Sequence, residues 1–136
     1  MPRFVYRRRI ETSFSASHTP MRPDGSSEPV HGHDWRVRLT VTAAELGPAG
    51  MLIDDDRLQS TLNEVAGQFD HQHLNDLPVF AERNPVRELV AEAIVKGVAA
   101  QLAKAAPGLF PAVALAVEVW ETPTETAACE LLPDRR

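Results

Sequence analysis

An α+β domain, with helices on one face of an antiparallel sheet, is the fold class this sequence predicts, and three observations carry the prediction. Two N-terminal segments alternate apolar and polar residues, two later segments repeat apolar residues every three or four positions, and alternation returns near the C-terminus. The resulting order (strand, strand, helix, helix, strand, strand) gathers the helices on one side of an antiparallel sheet. At 136 residues the chain is expected to form one domain, residues 1–136, burying about two thirds of its unfolded surface.

The first strand is predicted over residues 4–18. Phe4, Tyr6, Ile10, Phe14 and Ala16 occupy its even positions and Arg, Glu and Ser its odd ones, so His18 falls on the inward parity. Thr19 to Val30 is a Pro-, Gly- and Ser-rich loop, of a kind that is usually functional or mobile. The clearest strand follows, with His33, Trp35, Val37, Leu39 and Val41 on one face and Asp34, Arg36, Arg38 and Thr40 on the other. Gly47-Pro48-Ala49-Gly50 is a turn, after which Asp54 or Asp55 can cap a helix with its apolar stripe at Leu58, Leu62, Val65 and Phe69. The polar segment Asp70 to Asn75 comes directly after it. Asn84 as N-cap and Pro85 at the first position open a second helix, with a stripe at Val86, Leu89, Val90, Ala93, Ile94, Gly97 and Leu102, ended by Pro107-Gly108. Val113, Leu115, Val117 and Val119 alternate as a strand. Glu121 continues their parity, placing a carboxylate where an apolar residue is expected. A last strand is predicted from about Thr126 to Leu132.

Composition narrows the function. A hydrophobic fraction of 43% and a charged fraction of 24% are ordinary for a soluble globular protein. The net charge of −5 gives no general pull toward nucleic acid or anionic membranes, so neither partner is expected. The single cysteine, Cys129, rules out an internal disulfide and fits a reducing compartment. The N-terminal stretch lacks an apolar run after its basic residues, and a cytoplasmic location is expected.

The chemistry concentrates at His31-Gly32-His33 with His18 upstream. Histidines at i and i+2 of a strand project from one face, and Gly32 between them leaves that face uncrowded and lets the backbone bend. A third imidazole from the neighbouring strand would complete three nitrogen ligands, the number typical of a catalytic zinc site that keeps its fourth position open. Taken alone, such a pair is more often solvated or core histidines than metal ligands.

The ordered motifs Phe14-Ser15-Ala16-Ser17-His18, His31-Gly32-His33, Gly50-Met51-Leu52-Ile53-Asp54, Asp70-His71-x-x-Leu74-Asn75 and Val119-Trp120-Glu121-Thr122 resemble the 6-pyruvoyltetrahydropterin synthase and 6-carboxytetrahydropterin synthase family. The resemblance runs from about residue 4 to 130. It implies a T-fold: a four-stranded antiparallel sheet with two helices on one face. Three subunits would close into a barrel, two barrels would stack into a homohexamer, and active sites would lie between subunits. It also implies a zinc ion held by His18, His31 and His33, a proton relay of Asp70 and His71, and a pterin ring anchored at Glu121 beside Thr122. A carboxylate suits that anchor, because it accepts two parallel hydrogen bonds from the adjacent N–H groups of an aminopyrimidinone.

This chain departs from the family pattern at three places. The family's cysteine, four residues before the first histidine of His-Gly-His, is here Ser27, a far weaker base than a thiolate. Glu28 stands beside it, giving the Glu-x-x-His-Gly-His spacing of a subgroup in which glutamate replaces cysteine. That subgroup is associated with cleaving the side chain of 7,8-dihydroneopterin triphosphate to 6-hydroxymethyl-dihydropterin, a folate precursor. The Pro-Thr-x-Glu helix start is Pro85-Val86-Arg87-Glu88, and the aromatic after the aspartate of Gly-Met-x-x-Asp is Asp55. The expected activity is thus a zinc-dependent pterin lyase with Glu28 as base. The alternatives are a 6-carboxytetrahydropterin synthase of the queuosine pathway, or a degenerate relative that binds pterin without turning it over.

Overall fold

The computed structural model describes residues 1–105 and 114–133. Strands β1 (Tyr6–His18) and β2 (His31–Ala43) are followed by helix α1 (Asp55–Gly67) and the two-residue strand β3 (Gln72–His73). Two single-turn 3₁₀ helices lead into helix α2 (Arg87–Ala105), and β4 (Ala114–Thr122) and β5 (Glu125–Leu131) close the chain. The predicted helix stop at Pro107-Gly108 and the residue Val113 lie outside the described residues.

The sheet order is β3-β1-β2-β4-β5, with every pairing antiparallel except the short parallel one between β1 and β3. The four expected strands are therefore joined by a fifth, because the chain after α1 turns back beside Ala16 and Ser17. Alternation does what was expected of it from Ile10 onward, whereas Phe4 lies outside β1 and, like Tyr6, is exposed. Phe14, Trp35, Val37, Leu39, Leu115, Val117 and Val119 are buried against the helices. Glu11, Arg36 and Arg38 form an ion-paired group on the open face. Burying that apolar set stabilises the fold by about 1.5–3 kcal/mol for each large side chain.

The helices follow their periodicities with local differences. Asp54 takes the N-cap position of α1 in extended geometry but makes no side-chain capping bond, and Asp55 pairs with Arg8. Asn84 is not the cap of α2; its amide is committed to the backbone of Met21. Val86 precedes the helix, and the buried stripe runs through Val90, Ala91, Ile94, Val95, Val98, Ala99 and Leu102. Gly97 costs helix propensity of about 1 kcal/mol relative to Ala. It is nevertheless needed where α2 meets α1, since a Cβ there would come within 2.9 Å of Val65 Cγ1. Gly32, expected to bend β2, is instead paired regularly opposite Ser17. Among the described residues no helix is long and apolar enough to cross a membrane.

Candidate metal and ligand site

The β1–β2 register sets His18 opposite His31 and Ala16 opposite His33, so three imidazoles meet at one end of the helix-covered face. Their floor is Trp35, fully buried, whose ring meets His18 and His33 edge-on at centroid distances of 5.2 and 5.5 Å. Trp35 Nε1 donates to the Ala16 carbonyl at 3.3 Å, tying the floor to β1. One nitrogen from each of His18, His31 and His33 lies within 4.8 Å of the others.

The hydrogen bonds determine how these rings are protonated. His18 Nδ1 lies 2.9 Å from the Pro85 carbonyl and His31 Nδ1 lies 2.8 Å from the Pro29 carbonyl. Carbonyl oxygens only accept, so both Nδ1 atoms carry protons and both neutral rings present a lone pair at Nε2. Those two Nε2 atoms are 3.0 Å apart, a repulsive arrangement unless a proton or a cation is shared between them. His33 Nε2 is buried with no hydrogen-bond partner among the described residues. Burial also lowers the pKa of His18 against the opposing pull of the Pro85 carbonyl, favouring the neutral, ligating form. A divalent cation bound to three imidazoles would satisfy all these groups, with the carbonyls orienting the rings from outside.

The imidazoles open into a cavity of about 720 Å³ that Glu28, Glu121, Thr122, Arg22 and Arg87 also line. Glu121 Oε1 and Oε2 lie 4.0 Å from His18 Nε2 and His33 Nε2 respectively. Its carboxyl is raised in pKa by burial, which the Arg87 guanidinium 3.4 Å away partly offsets. Thr122 Oγ1 donates to Glu125 Oε1 at 3.3 Å at the cavity mouth.

The loop over the cavity is built rather than loose. Met21 bridges Ser27, Arg22 N donates to the Ser26 carbonyl at 2.7 Å, and Gly25 turns the chain at φ +89°. Two asparagine amides act as strand-like partners for its first limb. Asn75 bonds both backbone groups of Thr19 at 2.7 and 3.0 Å, and Asn84 both those of Met21 at 2.8 and 2.9 Å. The result turns Glu28 into the cavity and leaves Ser27 exposed, its carbonyl accepting from Arg22 at 2.9 Å. Sequence reasoning missed these asparagines and Arg87. Asn75 stood within a quoted motif, and Arg87 within the altered helix start, but neither position revealed its long-range partner.

The structure does not bring Asp70 and His71 into this cavity. His71 lines a separate, open groove with Ser15, Ser17, Gly32 and Asp34, on the sheet face away from the helices; His33 borders both spaces. The pair is rigid at its backbone. Ser15 N donates to Asp70 Oδ1 at 2.9 Å, and His71 N donates to the Ser15 carbonyl at 2.6 Å while holding φ at +58°. A left-handed histidine costs of order 1 kcal/mol or more, offset here by those contacts. Asp70 Oδ2 lies 2.9 Å from His71 Nδ1, and the Ser15 amide first, then His71, hold its carboxyl below the usual range.

Comparison with known proteins agrees with this architecture. The family model of 6-pyruvoyl tetrahydropterin synthase matches residues 8–131. The 6-carboxy-5,6,7,8-tetrahydropterin synthase of Bacillus subtilis is 36% identical over 93 residues, 65% of this chain and 62% of that protein, so the match spans less than two thirds of that relative. The protein of the same name from Synechocystis sp. is 33% identical over 123 residues, covering 86% of this chain and 87% of that one. Among solved structures, 6-pyruvoyl tetrahydropterin synthase of Plasmodium vivax superposes with a TM-score of 0.79 at 20% identity, over 95% of this chain and 99% of that one. The Caenorhabditis elegans enzyme of that name gives 0.77 at 21% identity, over 96% and 99%. These structures share the fold, an α+β T-fold with two helices against the sheet. With the family match extending over most of its length, the chain belongs to the 6-pyruvoyl tetrahydropterin synthase family.

Proposed function

We propose that the chain is a zinc-dependent lyase that cleaves the side chain of 7,8-dihydroneopterin triphosphate to give 6-hydroxymethyl-dihydropterin for folate synthesis. The observation that carries this reading is the placement of Glu28 in the imidazole cavity, with Ser27 turned to solvent. A positioned carboxylate is thus available where the family's cysteine is absent. Solved Plasmodium vivax variants described as catalytic-residue mutants likewise replace a glutamate, with alanine in one and cysteine in the other.

In this reading His18, His31 and His33 would hold zinc, which when bound would supply a Lewis acid for the side-chain hydroxyls. Glu121 accepts two N–H donors of the ring and fixes its orientation. Glu28 removes the proton from the hydroxyl on the second side-chain carbon. The bond between the first and second carbons then breaks: its electron pair passes into the ring imine, the second carbon becomes an aldehyde, and it leaves with the triphosphate-bearing third carbon. A proton returned to the first carbon completes the product. Asp70 orients His71 to shuttle protons near neutral pH. Because the pair faces away from its own cavity, it serves the site of a neighbouring subunit in a homohexamer of two stacked trimers.

Incubating zinc-loaded protein with 7,8-dihydroneopterin triphosphate, and identifying products by mass spectrometry, tests the reading. Release of 6-hydroxymethyl-dihydropterin by wild type and Ser27→Ala, but not by Glu28→Gln, supports it. The names of the Bacillus and Synechocystis relatives favour a second reading, 6-carboxytetrahydropterin synthase activity, and that product with an essential Ser27 would establish it instead. Pterin binding without any product would leave a binding protein.

A further inference from the structure

We propose that Arg87 is a gate on the ring anchor: its guanidinium, shared between Glu121 and Glu125, moves fully onto Glu125 when a ligand enters. This inference rests on the reading of Glu121 as the group that binds the pterin edge. Arg87 stands at the first position of α2 and reaches across to the end of β4. Its Nη1 lies 3.4 Å from Glu121 Oε2 and 3.1 Å from Glu125 Oε2, so one nitrogen is shared by two carboxylates. Both of these and Arg87 line the imidazole cavity.

The chemistry of the occupant is what matters. A guanidinium presents N–H groups on neighbouring nitrogens, the same donor pattern as the edge of a 2-aminopyrimidin-4-one ring. Arg87 and such a ligand therefore compete for Glu121 Oε2, and withdrawal of the guanidinium frees that oxygen for the ring. Withdrawal has a prepared destination. The side chain of Glu121 is 16% exposed and that of Glu125 57% exposed, so the guanidinium moves from an inner carboxylate to an outer one without losing its charge partner. Meanwhile its presence near Glu121 offsets the cost of a half-buried carboxylate. Glu125 also accepts a hydrogen bond from Thr122 Oγ1, which holds the outer carboxylate in place. The gate selects for ligands whose donor edge can replace a guanidinium.

Calorimetric binding of neopterin to wild type, Arg87→Gln, Glu125→Gln and Glu121→Gln tests this, with methylguanidinium as a second probe that carries the donor edge without a pterin. Thermal melts confirm that each variant is folded; all three positions are partly or well exposed at element ends, so large losses of stability are not expected. Arg87→Gln should tighten neopterin by about two- to fivefold, the range in which a partly exposed ion pair operates. Glu125→Gln, which leaves Arg87 only the inner carboxylate, should weaken it by about two- to threefold. Unchanged or weaker neopterin binding by Arg87→Gln, with wild-type binding abolished by Glu121→Gln, would overturn the gate and leave the anchor standing. If no variant binds neopterin but Arg87→Gln gains Glu121-dependent affinity for methylguanidinium, the gate holds and the pterin reading fails. Absence of binding by both probes in every variant overturns both.

Discussion

Two groups of imidazole and carboxylate occupy the same end of one sheet, and they differ in almost every physical respect. His18, His31 and His33 lie on the helix-covered face, seated on Trp35, with two Nδ1 atoms fixed by carbonyls. Asp70 and His71 belong to the open side, locked at the backbone by Ser15 but with the His71 side chain 83% exposed. The first group is assembled within one chain, and its buried lone pairs call for a cation. The second is rigid at its backbone yet open to solvent. Residue type does not separate a binding centre from a surface here; burial and hydrogen-bond saturation do.

The most severe test of the difference is at Glu28, on the buried side. Glu28→Gln should lower the rate of side-chain cleavage by about 100- to 10,000-fold, the range a positioned general base supplies, with zinc content unchanged. Single-turnover kinetics would measure it, and a loss under tenfold would remove Glu28 from the chemistry. Next is Glu121→Gln, which keeps the shape but swaps one acceptor for a donor facing the ligand's N–H groups. We expect pterin affinity to fall by about 2–4 kcal/mol. Calorimetric values within threefold of wild type would mean that the ring binds elsewhere.

The two groups can also be set directly against each other. His18→Ala removes a side chain that is 1% exposed, together with its bond to Pro85. Zinc should drop from about one ion per chain to near zero, and stability by about 2–3 kcal/mol. His71→Ala should leave both within error. Elemental analysis and urea denaturation report the pair of outcomes, and equal losses would erase the distinction.

The smallest effect belongs to Asp70. Its folded pKa is depressed, so its stabilising contribution is present above the unfolded value of about 3.9 and is lost as pH falls through the lower folded value. The melting advantage of wild type over Asp70→Asn should be modest at pH 7, because the carboxylate is largely exposed. It should shrink further on acidification below about pH 4. An advantage that grows in acid would show that the pair is not held as a carboxylate.

Alternation and helical spacing are local properties, and they located the four long strands, both helices and the inward parity of His18, His33 and Glu121 on their strands without any coordinates. Asn84 shows where local reasoning stopped. As Asn-Pro it reads as a cap, but its amide is spent on Met21, 63 residues away in sequence. Asn75, equally, is used on Thr19. The short strand β3 was illegible for the same reason, since two residues carry no period of their own.

Sequence alone therefore determined which strand residues share a face, because side-chain direction in a strand depends only on parity; that three imidazoles and a carboxylate meet at one end depends on how the strands pair. Tertiary structure decided how they are used. The β1–β2 register brought the Nε2 atoms of His18 and His31 to 3.0 Å, and the clamped loop turned Glu28 inward and Ser27 out. The left-handed turn at His71 carried the Asp70–His71 pair to the side of β1 away from the cavity. Each of these depends on pairing between segments far apart in the chain, and a local pattern holds no information about which distant backbone group will answer a given donor.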